Sequence, residues 1–207
     1  MQAPRVKQAF TIDGSADDWG DVEPVSMDLP EPFSASLRMA FDAGSLYLFY
    51  EVRNMGPFRN AGEDERRMFK TGACVDLMLG ADPDAPANRT APVAGDQRLL
   101  LTMLKGKPAA VLYEAVVKDA GGTEGERFAT MVFATEFDRI RRLDDARIRM
   151  EPTEHGYMVE AAIPMRHLNL SRALDGALIK GDWGVLRTDA QGNGVLGRHY
   201  WSNQATG

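Results

Sequence analysis

Residues 37–52 have the sequence LRMAFDAGSLYLFYEV, and this stretch decides the fold class. Large apolar residues occupy every second position of residues 37–41 and again of residues 46–52, with the turn sequence DAGS between them. A period of two is the spacing of a strand that buries one face. Two such runs separated by a short Asp- and Gly-containing turn are typical of a β-hairpin. We therefore predict an antiparallel hairpin here.

The same alternation recurs along the rest of the chain, with turn residues between the runs. Helix is scarce: we predict one turn at Glu65–Phe69 and a short helix that begins at Pro164. The pattern favours an all-β fold, an antiparallel β-sandwich of roughly nine to twelve strands in an immunoglobulin-like, two-sheet architecture. We expect one domain over residues 1–207. Further strands are predicted at Cys74–Leu79, Arg98–Leu104, Ala109–Val117, Phe128–Ala134, Ala146–Glu151, Tyr157–Ile163, Trp183–Thr188 and Leu196–Trp201.

Composition narrows the classes of partner. Thirty acidic residues against 24 basic ones give a net charge of −6, and the basic residues are scattered, so a nucleic-acid partner is not expected. The sequence has no apolar run near the roughly 20 residues that a membrane-spanning helix needs. The single cysteine, Cys74, has no partner for an internal disulfide and lies in a strand pattern, which predicts a buried thiol.

The sequence contains no specific catalytic or cofactor-binding motif. The sequence GNGVLG at Gly192–Gly197 fits the dinucleotide-binding pattern G-x-G-x-x-G, but a strand pattern follows where that motif needs a helix, so we predict a hairpin loop. His155, His167 and His199 are far apart, and no G-x-S-x-G motif is present. We therefore expect a non-catalytic protein.

Metal binding has one weak set of candidates. The acidic residues Asp13, Asp17 and Asp18 could donate oxygens to Ca²⁺, so calcium is the cofactor to consider. Their spacing differs from that of an EF-hand loop, and a solvated turn is the simpler interpretation. No other cofactor is predicted.

Several segments, in order, resemble the family 9 carbohydrate-binding modules. The opening FTIDGSADDWGDVEPV (residues 10–25) has that family's apolar strand, its Ile-Asp-Gly, an acidic stretch and a Trp. The resemblance spans nearly the whole chain and implies the same sandwich fold. The other segments that carry it are LYLFYEVRN (46–54), ACVDLMLGADP (73–83), GDQRLLL (95–101), GYMVEAAIPMRHL (156–168), GDWGVLRTDAQG (181–192) and RHYWSN (198–203).

The resemblance also implies a binding site. In that family, a sugar lies between two aromatic faces with charged residues between them, because C–H faces pack on aromatic rings while hydroxyls bond to Arg and carboxylates. One departure stands out: the chain has Phe69 and Lys70 near the position where the family has a Trp. The ligand-binding residues carried over are Asp76, Arg98, Trp201, Phe69 and Asn203.

The same residues have a structural interpretation. Period two turns Asp76 away from its apolar neighbours in the strand, and Arg98 likewise, so the two could form a cross-strand ion pair on an exposed face. Trp201, at a strand end, could belong partly to the core. We assign Trp19 and Trp183 to packing, and Glu160 and Arg187 to solvent-facing partners.

The resemblance thus implies a non-catalytic module that binds a poly- or oligosaccharide. We expect it to be an accessory domain of a larger secreted, periplasmic or cell-surface protein, with covalently linked neighbouring domains. The first residues, MQAPRVKQAF, lack the apolar segment of a signal peptide, and the ending WSNQATG has no turn or cap, as in a domain cut from a longer chain. Two alternatives stay open: a haem-binding sandwich of the DOMON type, with Met opposite His or Lys, and an interaction domain without a small ligand.

Overall fold

The computed structural model describes residues 2–86, 88–118, 124–129, 134–170, 176 and 178–202. These residues form thirteen strands and four short helical segments. The helical segments are Asp17–Trp19, Glu65–Arg67, α1 (Met68–Thr71) and Met165–His167. The strands are β1 (Val25–Ser26), β2 (Ser34–Phe41), β3 (Ser45–Arg53), β4 (Cys74–Gly80), β5 (Asp96–Leu104), β6 (Lys107–Glu114), β7 (Glu126–Ala129), β8 (Ala134–Phe137), β9 (Arg139–Arg142), β10 (Arg147–Thr153), β11 (Gly156–Pro164), β12 (Lys180–Thr188) and β13 (Val195–Tyr200).

The strands form two large sheets and a small ribbon. One sheet has the order β1-β2-β3-β11-β10, the other has the order β13-β12-β4-β5-β6-β9, and β7 pairs with β8. Every strand pair is antiparallel, which confirms the predicted all-β sandwich. The predicted hairpin is β2 and β3, with Leu37 opposite Tyr50 and Phe41 opposite Leu46.

The main core lies between the two large sheets. It is made of the alternate side chains that the period of two predicts, and Trp183 is fully buried in it, which confirms its packing role. Burying each large apolar side chain contributes about 1.5–3 kcal/mol. The largest fully buried members from the two sheets are Leu37, Leu48, Tyr50, Leu77, Leu99 and Trp183.

A second core covers the outer face of the six-stranded sheet. Segment α1 and the ribbon β7–β8 lie over this face, and Phe69 packs edge-on against Phe128 at a centroid distance of 5.0 Å. Cys74 is buried in this cluster, as the strand pattern predicted, and burial raises the pKa of its thiol to about 12. Alternation turns Asp76 and Arg98 towards this outer face, so both side chains lie within a packed layer.

The N-terminal segment covers the outer face of the five-stranded sheet through one buried carboxylate. Glu160 Oε2 accepts hydrogen bonds from the backbone amides of Asp13 at 2.9 Å and Gly14 at 2.7 Å, and Oε1 accepts from the indole N–H of Trp19 at 2.9 Å. Glu160 is fully buried, so its predicted solvent-facing position is wrong. Trp19 is 1% exposed, which confirms its packing role.

Local differences from prediction follow from tertiary contacts. The two ends of the predicted strand Phe128–Ala134 lie in β7 and β8, its residues 130–133 lie outside the described residues, and β9 was not predicted. The helix expected from Pro164 is limited to the 3₁₀ turn Met165–His167. The predicted hairpin at Gly192–Gly197 is confirmed: the connection covers residues 189–194, where Asp189 Oδ1 accepts the backbone amide of Gly192 at 2.6 Å, and the last three residues of the motif belong to β13.

Candidate functional site

Asp76 in β4 and Arg98 in β5 form a buried ion pair. Arg98 donates to Asp76 Oδ2 from Nε at 2.8 Å and also from Nη2. Both side chains project away from the main core, as alternation predicted, but Asp76 is fully buried and Arg98 is only 9% exposed. The predicted pair is thus confirmed, whereas its predicted exposure is wrong. Burial alone lowers the pKa of Arg98, but the neighbouring Asp76 carboxylate outweighs this and raises it, so the guanidinium stays charged.

Phe69 lies beside this pair, but its ring has little free surface. The guanidinium carbon of Arg98 lies 5.1 Å from the ring centroid, that of Arg198 lies 5.7 Å away, and Lys70 Nζ lies 5.8 Å away. The ring is 8% exposed, and Tyr113 packs against its edge. Cationic and aromatic side chains thus surround the Phe69 ring, which was expected to pack against a sugar.

Tyr200 completes this cluster, and sequence reasoning missed it. Its hydroxyl accepts from Arg98 Nη2 at 3.2 Å and donates to Asp76 Oδ2 at 3.4 Å. Burial first, and then the charge of Asp76, raise the pKa of Tyr200 to about 12. Gly184 lies opposite both Asp76 and Tyr200, and a Cβ there would stand 2.5 Å from the Tyr200 ring, so only glycine fits. Alternation places Tyr200 on one side of the strand and residues 199 and 201 on the other, but only the strand register shows that the Tyr200 side is the one that faces Asp76.

Trp201 lies on the opposite side of the sheet from Asp76. Its backbone amide donates to the carbonyl of Trp183 at 2.9 Å, and its partly buried ring packs against the main core. This agrees with the interpretation of Trp201 as partly core, and it separates Trp201 from Asp76, Arg98 and Phe69.

Trp201 belongs to a different set of side chains, at the open edge of the sandwich. In β12 and β13, Gly197 lies opposite Arg187, and His199 lies opposite the core residue Val185. The guanidinium carbon of Arg187 lies 4.9 Å from the ring centroid of Phe33, which precedes β2 in the other sheet. We call the following partly exposed residues the edge site: Phe33, Arg187, Gly197, His199 and Trp201.

The edge site has buried nitrogens without hydrogen-bond partners. Arg187 Nε and His199 Nε2 are shielded from solvent, and neither bonds to any atom of the described residues. Burial lowers the pKa of His199, and the positive charge of Arg187 lowers it further. Arg187 is partly exposed and packs on Phe33, whereas Glu160 is buried and bonds to the N-terminal segment, so the predicted solvent-facing partnership of the two is wrong. Aromatic rings beside unused polar groups can hold a ligand that has both apolar faces and oxygen acceptors.

The acidic candidates for calcium have local roles. Asp13 Oδ1 accepts from the amide of Ser15 at 2.8 Å, and Asp18 Oδ2 accepts from the amide of Thr11 at 2.7 Å. Asp17 lies in a 3₁₀ turn. Across the described ranges, no group of three or more His, Cys, Asp or Glu residues is arranged to hold a metal ion. Asn203, the remaining predicted ligand residue, lies outside the residues that the structure describes.

The haem-binding alternative requires a deep apolar pocket. A depression of about 320 Å³ at the ends of β3 and β11 includes Met158 and His155 in its lining. Glu51, Arg53 and Glu154 line the same depression, so its character is polar. This feature therefore gives no support to haem binding. Within the described chain, no helix has the length and apolar character needed to cross a membrane.

The protein is a two-sheet antiparallel sandwich with a polar, partly aromatic edge. Among solved structures, the chain is similar to a family 9 carbohydrate-binding module from Caldicellulosiruptor kristjanssonii in complex with cellotriose, with a TM-score of 0.61, 16% identity, and coverage of 99% of this chain and 85% of that one. A family 9 module from the same organism in complex with glucose gives a TM-score of 0.55, 14% identity, and coverage of 98% and 86%.

These comparisons bear on the fold. No protein-family model matches the sequence, and no curated protein matches it. At 14–16% identity the structural likeness establishes a fold like that of family 9 modules along nearly the whole chain, which confirms the fold implied by the sequence motifs.

Proposed function

We propose that this protein is a non-catalytic carbohydrate-binding module and that it binds a sugar chain at the edge site. The observation that carries the proposal is the pairing, at one open edge, of two partly exposed aromatic rings with two buried nitrogens that lack partners. The rings are those of Phe33 and Trp201, and the nitrogens belong to Arg187 and His199. The fold adds support, since two solved structures with a similar fold hold cellotriose and glucose.

The chemistry of a sugar matches these groups. The C–H face of a pyranose packs on an aromatic ring, and its oxygens accept hydrogen bonds from Arg187 and His199. A buried donor without a partner is unfavourable by about 1–3 kcal/mol, so a ligand that pairs it recovers that free energy. β13 is the outermost strand of its sheet, so a long ligand can run along it without meeting an adjacent strand.

In this proposal, Asp76 and Arg98 act at a distance from the sugar. Both contact Tyr200, the residue immediately before Trp201. The pair links β4 and β5 to the end of β13, and Phe69 packs against Arg98 from the covered face. These residues hold the strand that carries Gly197 and His199 and that ends directly before Trp201.

The proposal includes the setting expected from the sequence. The chain serves as an accessory domain, covalently linked to neighbouring domains of a larger secreted, periplasmic or cell-surface protein. This part rests on the family resemblance, and detection of the native full-length protein in cell fractions tests it.

Calorimetric titration with glucose and cello-oligosaccharides tests the binding function. We expect Trp201→Ala to weaken binding by at least about tenfold, because burying an aromatic side chain contributes about 1.5–3 kcal/mol and tenfold corresponds to about 1.4 kcal/mol. Leu196→Ala is the matched control, since Leu196 is an exposed apolar residue of the same strand at 64% exposure.

Two outcomes would contradict the proposal. Binding that survives Trp201→Ala but disappears in an Arg98→Met protein that circular dichroism shows to be folded would move the site to the covered face. A folded protein that binds none of the sugars would favour the interaction-domain alternative.

A further inference from the structure

The backbone of β13 has an unpaired edge. Among the described strands, β13 pairs only with β12. The backbone amide of Trp201 donates to the carbonyl of Trp183, and this bond fixes which backbone groups of β13 face β12. Because the pattern alternates along an antiparallel pair, the amide and carbonyl groups of Arg198 and Tyr200 point away from β12. Within the described residues, no other backbone group bonds to them. This edge can therefore pair with a further strand.

The other outer strands of the two large sheets have features that oppose such pairing. β1 has only two residues, and β10 contains Pro152, whose nitrogen cannot donate a hydrogen bond. β9 has arginine at three of its four positions, and each of the three forms an ion pair with a carboxylate at 2.6 to 3.1 Å. β13 has six residues and no proline, and Leu196 near its start is 64% exposed. The edge of β13 is thus the one best suited to accept a strand.

Two positive charges beside β13 are not balanced by a carboxylate of the described residues. Arg198 Nη2 donates to the carbonyl of Phe69 at 2.9 Å, and the guanidinium carbon lies 5.7 Å from the centroid of that ring. Lys70 Nζ lies 5.8 Å from the same centroid. Neither cation forms an ion pair within the described chain, although the protein has a net charge of −6. Lys70 is exposed and Arg198 is partly exposed, so both charges can attract an acidic partner.

We propose that β13 is an interaction edge, and that it accepts an extended acidic peptide segment of a partner protein as an additional antiparallel strand. The backbone of the segment pairs with the outward groups of Arg198 and Tyr200, and an acidic side chain opposite Arg198 forms a cross-strand ion pair. A second copy of the chain fits less well, because pairing β13 with itself brings the positive charges of both copies together.

The proposal goes beyond sugar binding and does not depend on it. The peptide contacts the backbone edge and the side of the sheet that carries Arg198. The ring of Trp201 lies on the opposite side of the sheet, against the main core. Variants of Arg198 and of Trp201 therefore test the two functions separately.

The test uses two short, dye-labelled peptides in which threonine and valine surround alternate charged positions, with glutamate in one peptide and lysine in the other. By fluorescence anisotropy, we expect the glutamate peptide to bind about tenfold more tightly, because opposite charges directly across a strand pair attract and like charges repel. Arg198→Pro should abolish binding, since it removes an N–H that faces outwards and leaves the bonds between β12 and β13 intact. Arg198→Gln keeps that N–H, so it should still bind but with a smaller preference for glutamate. Arg147→Gln, at an exposed position of β10, is the matched control and should bind as the wild type does.

Hydrogen exchange in the wild-type protein gives a second readout, which stands even if Arg198→Pro does not fold. The amide protons of Arg198 and Tyr200 should exchange more slowly when the glutamate peptide is bound, and unchanged exchange rates overturn the proposal. So do equal affinity for the two peptides, binding of neither, and full binding by an Arg198→Pro protein that circular dichroism shows to be folded. A dimer in sedimentation that Arg198→Pro dissociates would show that the edge pairs with a second copy, which also overturns it. If the peptide binds but no sugar does, the proposed function alone fails.

Discussion

Replacing Asp76 by Asn should destabilise the protein strongly, although the two side chains have nearly the same shape. The change removes the charge that balances Arg98 and weakens the contact to Tyr200. Arg98 is 9% exposed, so water cannot replace the lost carboxylate. Its guanidinium would remain charged and buried beside a neutral amide, which is the unfavourable half of a broken ion pair.

The expected magnitude follows from this burial. Removing one member of a buried ion pair typically costs about 3–5 kcal/mol. Asparagine retains one acceptor oxygen, so we expect the lower end, about 3 kcal/mol. For a chain of this size, about 2–4 °C of melting temperature corresponds to each kcal/mol, which gives a decrease of about 6–12 °C. Arg98→Met should lie at the upper end of the range, because it leaves the fully buried Asp76 without its main donor.

Urea and thermal unfolding of the two single variants and of the double variant Asp76→Asn/Arg98→Met measure this prediction. The double variant should lose clearly less stability than the two single losses added together, since contacting residues are coupled by about 0.5–3 kcal/mol. Glu151→Gln is the control: it breaks the exposed pair with Arg149, which should matter by less than about 1 kcal/mol. A loss below about 1 kcal/mol for Asp76→Asn would refute the reasoning. The pair would then be open to water, and Asp76 and Arg98 would again be candidates for direct contact with a ligand.

Two further predictions concern the N-terminal segment and the edge site. Glu160→Ala leaves the indole of Trp19 and two backbone amides without an acceptor, so we expect the free energy of unfolding to fall by about 3–5 kcal/mol. Urea unfolding measures this loss. A change under about 1 kcal/mol would show that the N-terminal segment docks without this carboxylate. The affinity for cello-oligosaccharides should stay constant between about pH 8 and about pH 6.5, because burial and Arg187 hold the pKa of His199 below its ordinary value and the ring stays neutral over this range. Calorimetry of the wild type and of His199→Gln tests it, and an affinity that changes over this range in the wild type alone would contradict it.

Much of the fold is predictable from the alternation of the strands. Period two identifies β2 and β3 and shows that Asp76 turns away from the main core, and the structure agrees on both points. The same pattern cannot show what covers the other face of a strand. That face is covered by α1 and by the ribbon β7–β8, through contacts between Phe69 and Phe128 that are far apart in the sequence. The exposure expected for Asp76 was wrong for this reason.

The site was harder to predict because it depends on register. Tyr200 and Trp201 are adjacent, so they point to opposite sides of the sheet, and a sequence with two neighbouring aromatics does not show which one faces Asp76. The pairing of Gly184 with both Asp76 and Tyr200 settles this, and it places Trp201 at the sandwich edge. Arg187 has a polar side chain within a strand, and sequence reasoning assigned it to solvent. Its contact with Phe33 crosses between the sheets, which no local pattern encodes.

The motifs that carry the family resemblance differ in what they do, and this limits what the resemblance can say about ligands. The Ile-Asp-Gly turn, the Trp at position 19 and the Glu at position 160 form one hydrogen-bonded unit that fixes the N-terminal segment to the sheet. These residues are needed for the fold whatever the sandwich binds. Gly197 lies outside these segments, and a Cβ there would stand 3.3 Å from His199 Nε2 and 3.4 Å from Arg187 Nε, so the glycine lets both side chains lie against the strand. A change at Gly197 would therefore displace Arg187 and His199 while the fold and the motifs of the resemblance stay the same, so the choice of ligand has to be read from the edge site and not from the motifs.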